Sequence, residues 1–121
     1  MNIFVVDDSK LARASLNKIL KEHFPDVTIK EAANGQEVLE LLEFITPDVI
    51  FLDLTMPVMN GYELLEVLQK DNSTIPVYVV TADIQKSARE KIISLGAKDA
   101  IHKPVNAKKL HDILQTIKEN H

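Results

Sequence analysis

Four short stretches carry side chains able to act together on a charged ligand: Asp7-Asp8, Asp53, Thr81 and Lys103-Pro104. Three carboxylates brought close together repel one another, so without a counter-ion at least one of their pKa values rises. A hard divalent cation removes that penalty. Carboxylates, a backbone carbonyl and waters in octahedral geometry suit Mg²⁺, which keeps waters that a phosphoryl oxygen can displace. Lys103 would add a point charge, and Thr81 a hydroxyl donor. Pro104 makes the Lys103-Pro104 bond a candidate cis peptide that would fix the direction of the lysine. Each residue also has a plainer reading. Asp53 suits a turn, and Asp8 or Ser9 suits a helix cap. Thr81 suits a strand end, and Lys103 suits solvent.

The elements that must position these residues follow from the apolar pattern. Val49-Ile-Phe-Leu52 reads as a buried strand running into Asp53, with Pro57 four positions further on. Ile3–Val6 is a short apolar strand, and Ser9–Phe24 carries Ala12, Leu16, Ile19 and Leu20 at helical spacing up to Pro25. Val27–Ala32 alternates as a strand, and Asn34 with Glu37 resembles a capping box opening a helix from Gly35 to about Phe44. Thr46-Pro47 breaks the chain before the next strand. Asn60-Gly61-Tyr62-Glu63 gives a second cap-like start, with Leu64, Leu65 and Leu68 on one face. Pro76–Val80 is a fourth β-branched run ending at Thr81. Asp83 can cap the following helix, whose inner positions are expected at Ala88, Ile92, Ile93 and Leu95, with Gly96 just past its end. Asp99–His102 is a short fifth strand, and Asn106 can cap a last helix striped by Leu110, Ile113, Leu114 and Ile117.

Five strand-then-helix units with short connections imply a parallel sheet with helices on both faces, a three-layer α/β/α sandwich. Five strands suit the flavodoxin-like order 2-1-3-4-5. In such sheets the binding crevice lies beyond the carboxyl ends of the strands, where the order reverses. Those ends hold Asp7-Asp8, Asp53, Thr81 and Lys103. Taken singly, the plain reading is the stronger one for Asp53, Thr81 and Lys103, whereas two adjacent acids after a core strand exceed what a cap needs; the joint occurrence at consecutive strand ends decides against coincidence.

Composition bounds the function classes. The 121 residues, 45% hydrophobic and 26% charged, fit one domain spanning residues 1–121 with its own core. The absence of cysteine excludes disulfides and thiolate zinc sites and fits a cytoplasmic setting. The apolar start is interrupted by Asp7-Asp8 too early for a signal-peptide core, and no apolar run is long enough to span a bilayer. The net charge of −4 is unevenly spread: residues 1–83 hold 6 Lys/Arg against 14 Asp/Glu, a balance of −8, and residues 84–121 hold 8 against 4, a balance of +4. An acidic chain argues against general nucleic-acid binding, whereas its basic C-terminal third could face an acidic partner.

Together, Val-Val-Asp7-Asp8-Ser9, Asp53-Leu-Thr-Met-Pro-Val-Met-Asn-Gly61, Val-Val-Thr81-Ala82 and Lys103-Pro104 closely resemble the receiver domain of two-component response regulators, particularly the single-domain chemotaxis type. The resemblance covers essentially the whole chain. It implies that Asp53 is the phosphoacceptor, that Asp8 and Asp53 bind Mg²⁺ with Asp7 contributing through water, and that Thr55 is a ligand through its backbone carbonyl. Thr81 and Lys103 would bind the phosphoryl oxygens. The donor would be a phosphohistidine on a sensor histidine kinase or phosphotransfer protein, or a small acyl phosphate. The small side chain of Ala82 would leave the site open to it. Thr55 and Asp83, beside the site, would tune dephosphorylation. Such a domain is a switch rather than an enzyme, a monomer or a weak dimer on phosphorylation. It would change its affinity for a downstream protein through the face made by the fourth helix, fifth strand and fifth helix.

One position departs from the family. Three residues before the lysine, where Tyr or Phe is usual, stands Ala100. His102, on the same strand face, is a candidate to fill part of that space, although an ordinary edge-strand histidine has the same appearance. Three other readings stand beside the switch. A phosphatase of the haloacid-dehalogenase type also uses a strand-end Asp with Mg²⁺, but wants a second Asp two positions on, where this chain has Thr55. The chain could also be the receiver portion of a longer transcriptional or enzymatic regulator, or a receiver-like interaction module that is never phosphorylated.

Overall fold

The computed structural model describes residues 1–82 and 85–121. Strands and helices alternate throughout: β1 (Asn2–Val6), α1 (Lys10–His23), β2 (Thr28–Ala32), α2 (Gly35–Leu42), β3 (Val49–Leu52), α3 (Gly61–Lys70), β4 (Val77–Thr81), α4 (Lys86–Ser94), β5 (Asp99–His102) and α5 (Ala107–Glu119). All strand pairs are parallel, and the order is β2-β1-β3-β4-β5. This is the expected flavodoxin-like sandwich.

Strand alternation divides the core into two layers, because successive side chains point to opposite faces. Phe4, Val6, Ile50, Leu52, Val77 and Val79 pack with Val38, Leu64, Leu65 and Ile92, the inner residues of α2, α3 and α4. Ile3, Val5, Val49, Phe51, Tyr78 and Val80 pack with Leu16, Leu20, Leu110, Leu114 and Ile117 of α1 and α5. β1 and β3 lie mid-sheet and are covered on both faces, which is why they read as unbroken apolar runs. β2 is an edge strand, and of its five residues only Ala32 is buried.

The helix starts follow side-chain caps. Ser9 accepts from Ala12 N–H, Asn34 from Glu37 N–H, Asn60 from Glu63 N–H and Asn106 from Lys109 N–H. At Asn60 the capping box is complete. At Asn34 it is not: the Glu37 carboxylate reaches Ala33 N–H at 2.7 Å instead of the cap residue's own N–H. Two further expectations change. α2 ends at Leu42, not near Phe44, and Phe44 is exposed. On α4, Ile92 is buried and Ala88 and Leu95 half-buried, but Ile93 is 42% exposed. The inward stripe of α4 is centred on Ile92, and since one residue rotates a helix by about 100°, Ile93 falls outside this narrow stripe. Asp83, expected to cap α4, lies outside the described residues.

Candidate functional site

The carboxyl ends of the strands are held in register by backbone hydrogen bonds that run one residue beyond the strands. Asp7 N–H donates to Ala32 O at 3.0 Å, Asp53 N–H to Val6 O at 2.9 Å, and Lys103 N–H to Thr81 O at 2.8 Å. Asp7, Asp53 and Lys103 are therefore fixed by the sheet itself, although each stands in a connecting segment. Asp7, Asp53 and Thr81 are buried polar residues, 6%, 6% and 5% exposed. Asp8 is exposed beside them, and since Ser9 supplies the cap of α1, capping does not account for Asp8.

Carboxylate oxygens of Asp7, Asp8 and Asp53 all lie within 4.8 Å of one another. Lys103 Nζ bridges two of them, 2.7 Å from Asp7 Oδ2 and 3.3 Å from Asp53 Oδ1. The other Asp7 oxygen accepts from Ser9 N–H at 2.9 Å. The Lys103-Pro104 bond is cis. Burial raises the Asp53 pKa and the charge of Asp7 raises it further, while Lys103 opposes both. For Lys103, burial alone would lower the pKa, but its hydrogen bond to Asp7 and the charges of Asp53 and Asp7 outweigh that and raise it. So the ammonium is secured in place, and Asp53 remains under-compensated. A divalent cation fits this donor set: among the described residues, three convergent carboxylates, one of them exposed, with a single ammonium between two of them.

The loop leaving β3 is pinned to α3. Gly61 N–H donates to Leu54 O at 3.0 Å. A Cβ on Gly61 would stand 2.4 Å from Asp53 O and 2.9 Å from Leu54 Cα, so only glycine lets α3 start this close to the Asp53 backbone. Between them Met59 N–H donates to Pro57 O at 2.8 Å across Val58, whose φ is 67°. This three-residue turn with a β-branched centre is a strained conformation, and Val58 is 80% exposed. Thr55 is exposed on the same loop.

The sheet thus brings together Asp7, Asp8, Asp53 and Lys103, and β4 ends at Thr81 beside them. Thr81 is the register partner of His102, and Val79 that of Ala100. Ala100 packs on the α3/α4 side of the core, whereas His102 is exposed. Two basic residues that the sequence reading passed over touch the same strand ends. Arg13 Nη1 donates to Asp7 O at 2.6 Å while its Nε pairs with Glu31 Oε1 at 2.8 Å. Lys109 Nζ donates to Pro104 O at 2.9 Å and His102 O at 3.3 Å. In sequence both look like solvated helix charges; the signal that marks Arg13 is its place one turn beyond the cap Ser9.

The chain is similar to known proteins throughout this region. A protein-glutamate methylesterase/protein-glutamine glutaminase of Treponema denticola is 41% identical over 107 residues, covering 86% of this chain and 28% of that protein. The chain spans about a third or less of the length of such methylesterase relatives. Protein CcdB of Bacillus subtilis is 33% identical over 115 residues, 95% of each chain. Among solved structures, the chemotaxis response regulator CheY4 of Vibrio cholerae superposes with a TM-score of 0.83 at 27% identity, covering 96% of this chain and 97% of that one. Residues 3–115 match the response regulator receiver domain. By fold, by sequence and by the residues at its strand ends, the chain belongs to the response regulator receiver domain family of two-component signalling.

Proposed function

We propose that this receiver domain is a phosphorylation-dependent switch in which Asp53 accepts a phosphoryl group. The observation that carries the reading is the buried Asp53 carboxylate, raised in pKa, facing Asp7, Asp8 and Lys103. Asp53 Oδ attacks the phosphorus of a phosphohistidine on a histidine kinase or phosphotransfer protein, or of a small acyl phosphate. The phosphorus–nitrogen or phosphorus–oxygen bond to the donor breaks, and an aspartyl phosphate forms. Asp8, Asp53 and the Thr55 carbonyl would hold Mg²⁺ directly, and Asp7 through water. When bound, the ion offsets the negative charge of the incoming group. Lys103 supplies a fixed cation for the phosphoryl oxygens, and Thr81 a hydroxyl donor. Water later attacks the same phosphorus, which makes the mark transient.

The switch operates through differential contacts. Driving a two-state equilibrium from 1:99 to 99:1 needs about 5.5 kcal/mol, and charge-assisted hydrogen bonds contribute roughly 1.5–3 kcal/mol each. Contacts from Thr81 and Lys103 made only after phosphorylation are of that size. The surface of α4, β5 and α5, in the basic third of the chain, then changes its affinity for a downstream protein. The setting is cytoplasmic, without direct nucleic-acid binding by this domain; among the described residues no helix is long and apolar enough to cross a membrane. The similarity to methylesterases of about three times this length favours a second reading, that the chain acts as the receiver portion of a larger regulator.

Incubation with Mg²⁺ and a small acyl phosphate, followed by intact mass measurement, tests the proposal. The expected result is one added phosphoryl group, lost on chelation and in Asp53→Asn. No adduct from either this donor or cognate kinases would leave the interaction-module reading in its place.

A further inference from the structure

We propose that Arg13 is the positioning residue of the acidic cluster, and that it sets magnesium affinity by fixing the peptide between Asp7 and Asp8. The inference rests on the reading that Asp7, Asp8 and Asp53 hold the ion. Asp7 is already anchored at both carboxylate oxygens, by Ser9 N–H at 2.9 Å and by Lys103 Nζ at 2.7 Å. Asp8 has no such anchor among the described residues: it is exposed, and the helix cap is made by Ser9. Its direction depends on the rotation of the Asp7–Asp8 peptide plane.

That plane is gripped from α1. Arg13 Nη1 donates to Asp7 O at 2.6 Å, and the same guanidinium is held from the other side by Glu31 Oε1, 2.8 Å from Nε. The side chain is 16% exposed, which keeps water from competing strongly for the carbonyl. The carbonyl and the carboxylate are approached by different nitrogens of one rigid plane, so the fork spans from β2 to the end of β1 with its direction fixed at both ends. A lysine at this position could satisfy one acceptor but not define the plane. Asp7 N–H meanwhile donates to Ala32 O, the residue after Glu31, so the same short stretch of β2 supports the Asp7–Asp8 turn twice.

Positioning and bare electrostatics make opposite predictions. Arg13 is a cation close to the site, and removing it should tighten binding of a divalent cation if charge alone mattered. If it orients the acids, removing it weakens binding, and a lysine that keeps the charge does not restore it. Residues that orient metal ligands typically change affinity by about 10–100-fold when lost.

The test is Mg²⁺ titration by isothermal calorimetry on the full chain at neutral pH, for wild type, Arg13→Gln, Arg13→Lys and Glu31→Gln, with a thermal melt of each. The expected result is about tenfold weaker Mg²⁺ binding in both Arg13 variants and a loss of a few-fold in Glu31→Gln. Wild-type affinity in Arg13→Lys, or tighter binding in Arg13→Gln, overturns the proposal while leaving the metal site intact. Absence of Mg²⁺ binding by wild type overturns the metal-site reading and this inference with it. If Arg13→Gln does not fold, Arg13→Lys and Glu31→Gln decide the matter, since each retains the charge on Arg13 or its replacement.

Discussion

Replacing Gly61 with alanine should disable Asp53 without touching any group that does chemistry. The new Cβ would sit 2.4 Å from Asp53 O and 2.9 Å from Leu54 Cα, both backbone positions, so no side-chain rotation relieves the contact. Restoring the ~3.4 Å of ordinary van der Waals contact requires the Asp53–Leu54 peptide and the first turn of α3 to separate by about 1 Å. Overpacking of that kind costs about 1–3 kcal/mol of stability. Misplacing a reacting group by about 1 Å can slow a reaction by about 10²-fold. Two measurements follow: urea denaturation for stability, and the rate of phosphoryl incorporation from an acyl phosphate at saturating Mg²⁺ for function. Gly35→Ala is the internal control. There the added Cβ meets chiefly Met59 Cγ and Sδ, at 2.7 and 2.8 Å, the flexible end of a side chain that can move aside. Gly35→Ala should keep its phosphorylation rate within a few-fold of wild type. If Gly61→Ala does the same with an unchanged urea midpoint, the claim that this glycine sets the Asp53 backbone is wrong.

Further predictions concern charge and strain. The folded-state pKa of Asp53 is raised above its usual 3.8, so the folded protein binds that proton more tightly than the unfolded chain does. Without Mg²⁺, Asp53→Asn should therefore melt above wild type at pH 7, with the difference vanishing as pH falls below 3.8 and growing as pH rises through the raised pKa; a pH-independent difference would contradict the assignment. Lys103 also has a raised pKa, so the stability it contributes should persist to alkaline pH and be lost only above its usual 10.5, and Lys103→Met should abolish that alkaline transition in a pH-melt series. Val58→Gly, which removes a β-branched residue from φ 67°, should raise stability by about 1 kcal/mol in urea denaturation, and a loss would show the turn is unstrained. Lys109→Met, which loses two bonds to the carbonyls flanking Lys103, should cost under about 1 kcal/mol because the residue is exposed, yet slow phosphoryl incorporation a few-fold.

Much of this site is legible in sequence because the fold converts position in a pattern into position in space. Once Val49–Leu52 and Ile3–Val6 read as neighbouring buried strands, the next residues, Asp53 and Asp7, must stand side by side at the carboxyl edge. Local signals also carried through where one side chain decides the outcome, as at the caps Asn60 and Asn106. What the sequence concealed depends on through-space approach. Gly61 reads as a helix start, and nothing local says that the Asp53 carbonyl lies against it. Arg13 and Lys109 reach backbone carbonyls, which leave no trace in residue types; only the place of Arg13 one turn beyond the cap Ser9 hints at its contact. The outward turn of Ile93 is hidden because a run of two isoleucines does not say which one faces inward; Ile92 is the one that joins the buried cluster.

Phosphoryl transfer in this site should turn Asp53 itself into the acyl phosphate. After incubation with Mg²⁺ and an acyl phosphate, borohydride reduces an aspartyl phosphate to homoserine, which peptide mass spectrometry can place in the chain. Homoserine is expected at position 53 alone, absent when Mg²⁺ is chelated; homoserine at Asp7 or Asp8 instead, or a stable adduct with no homoserine anywhere, would contradict phosphorylation of Asp53.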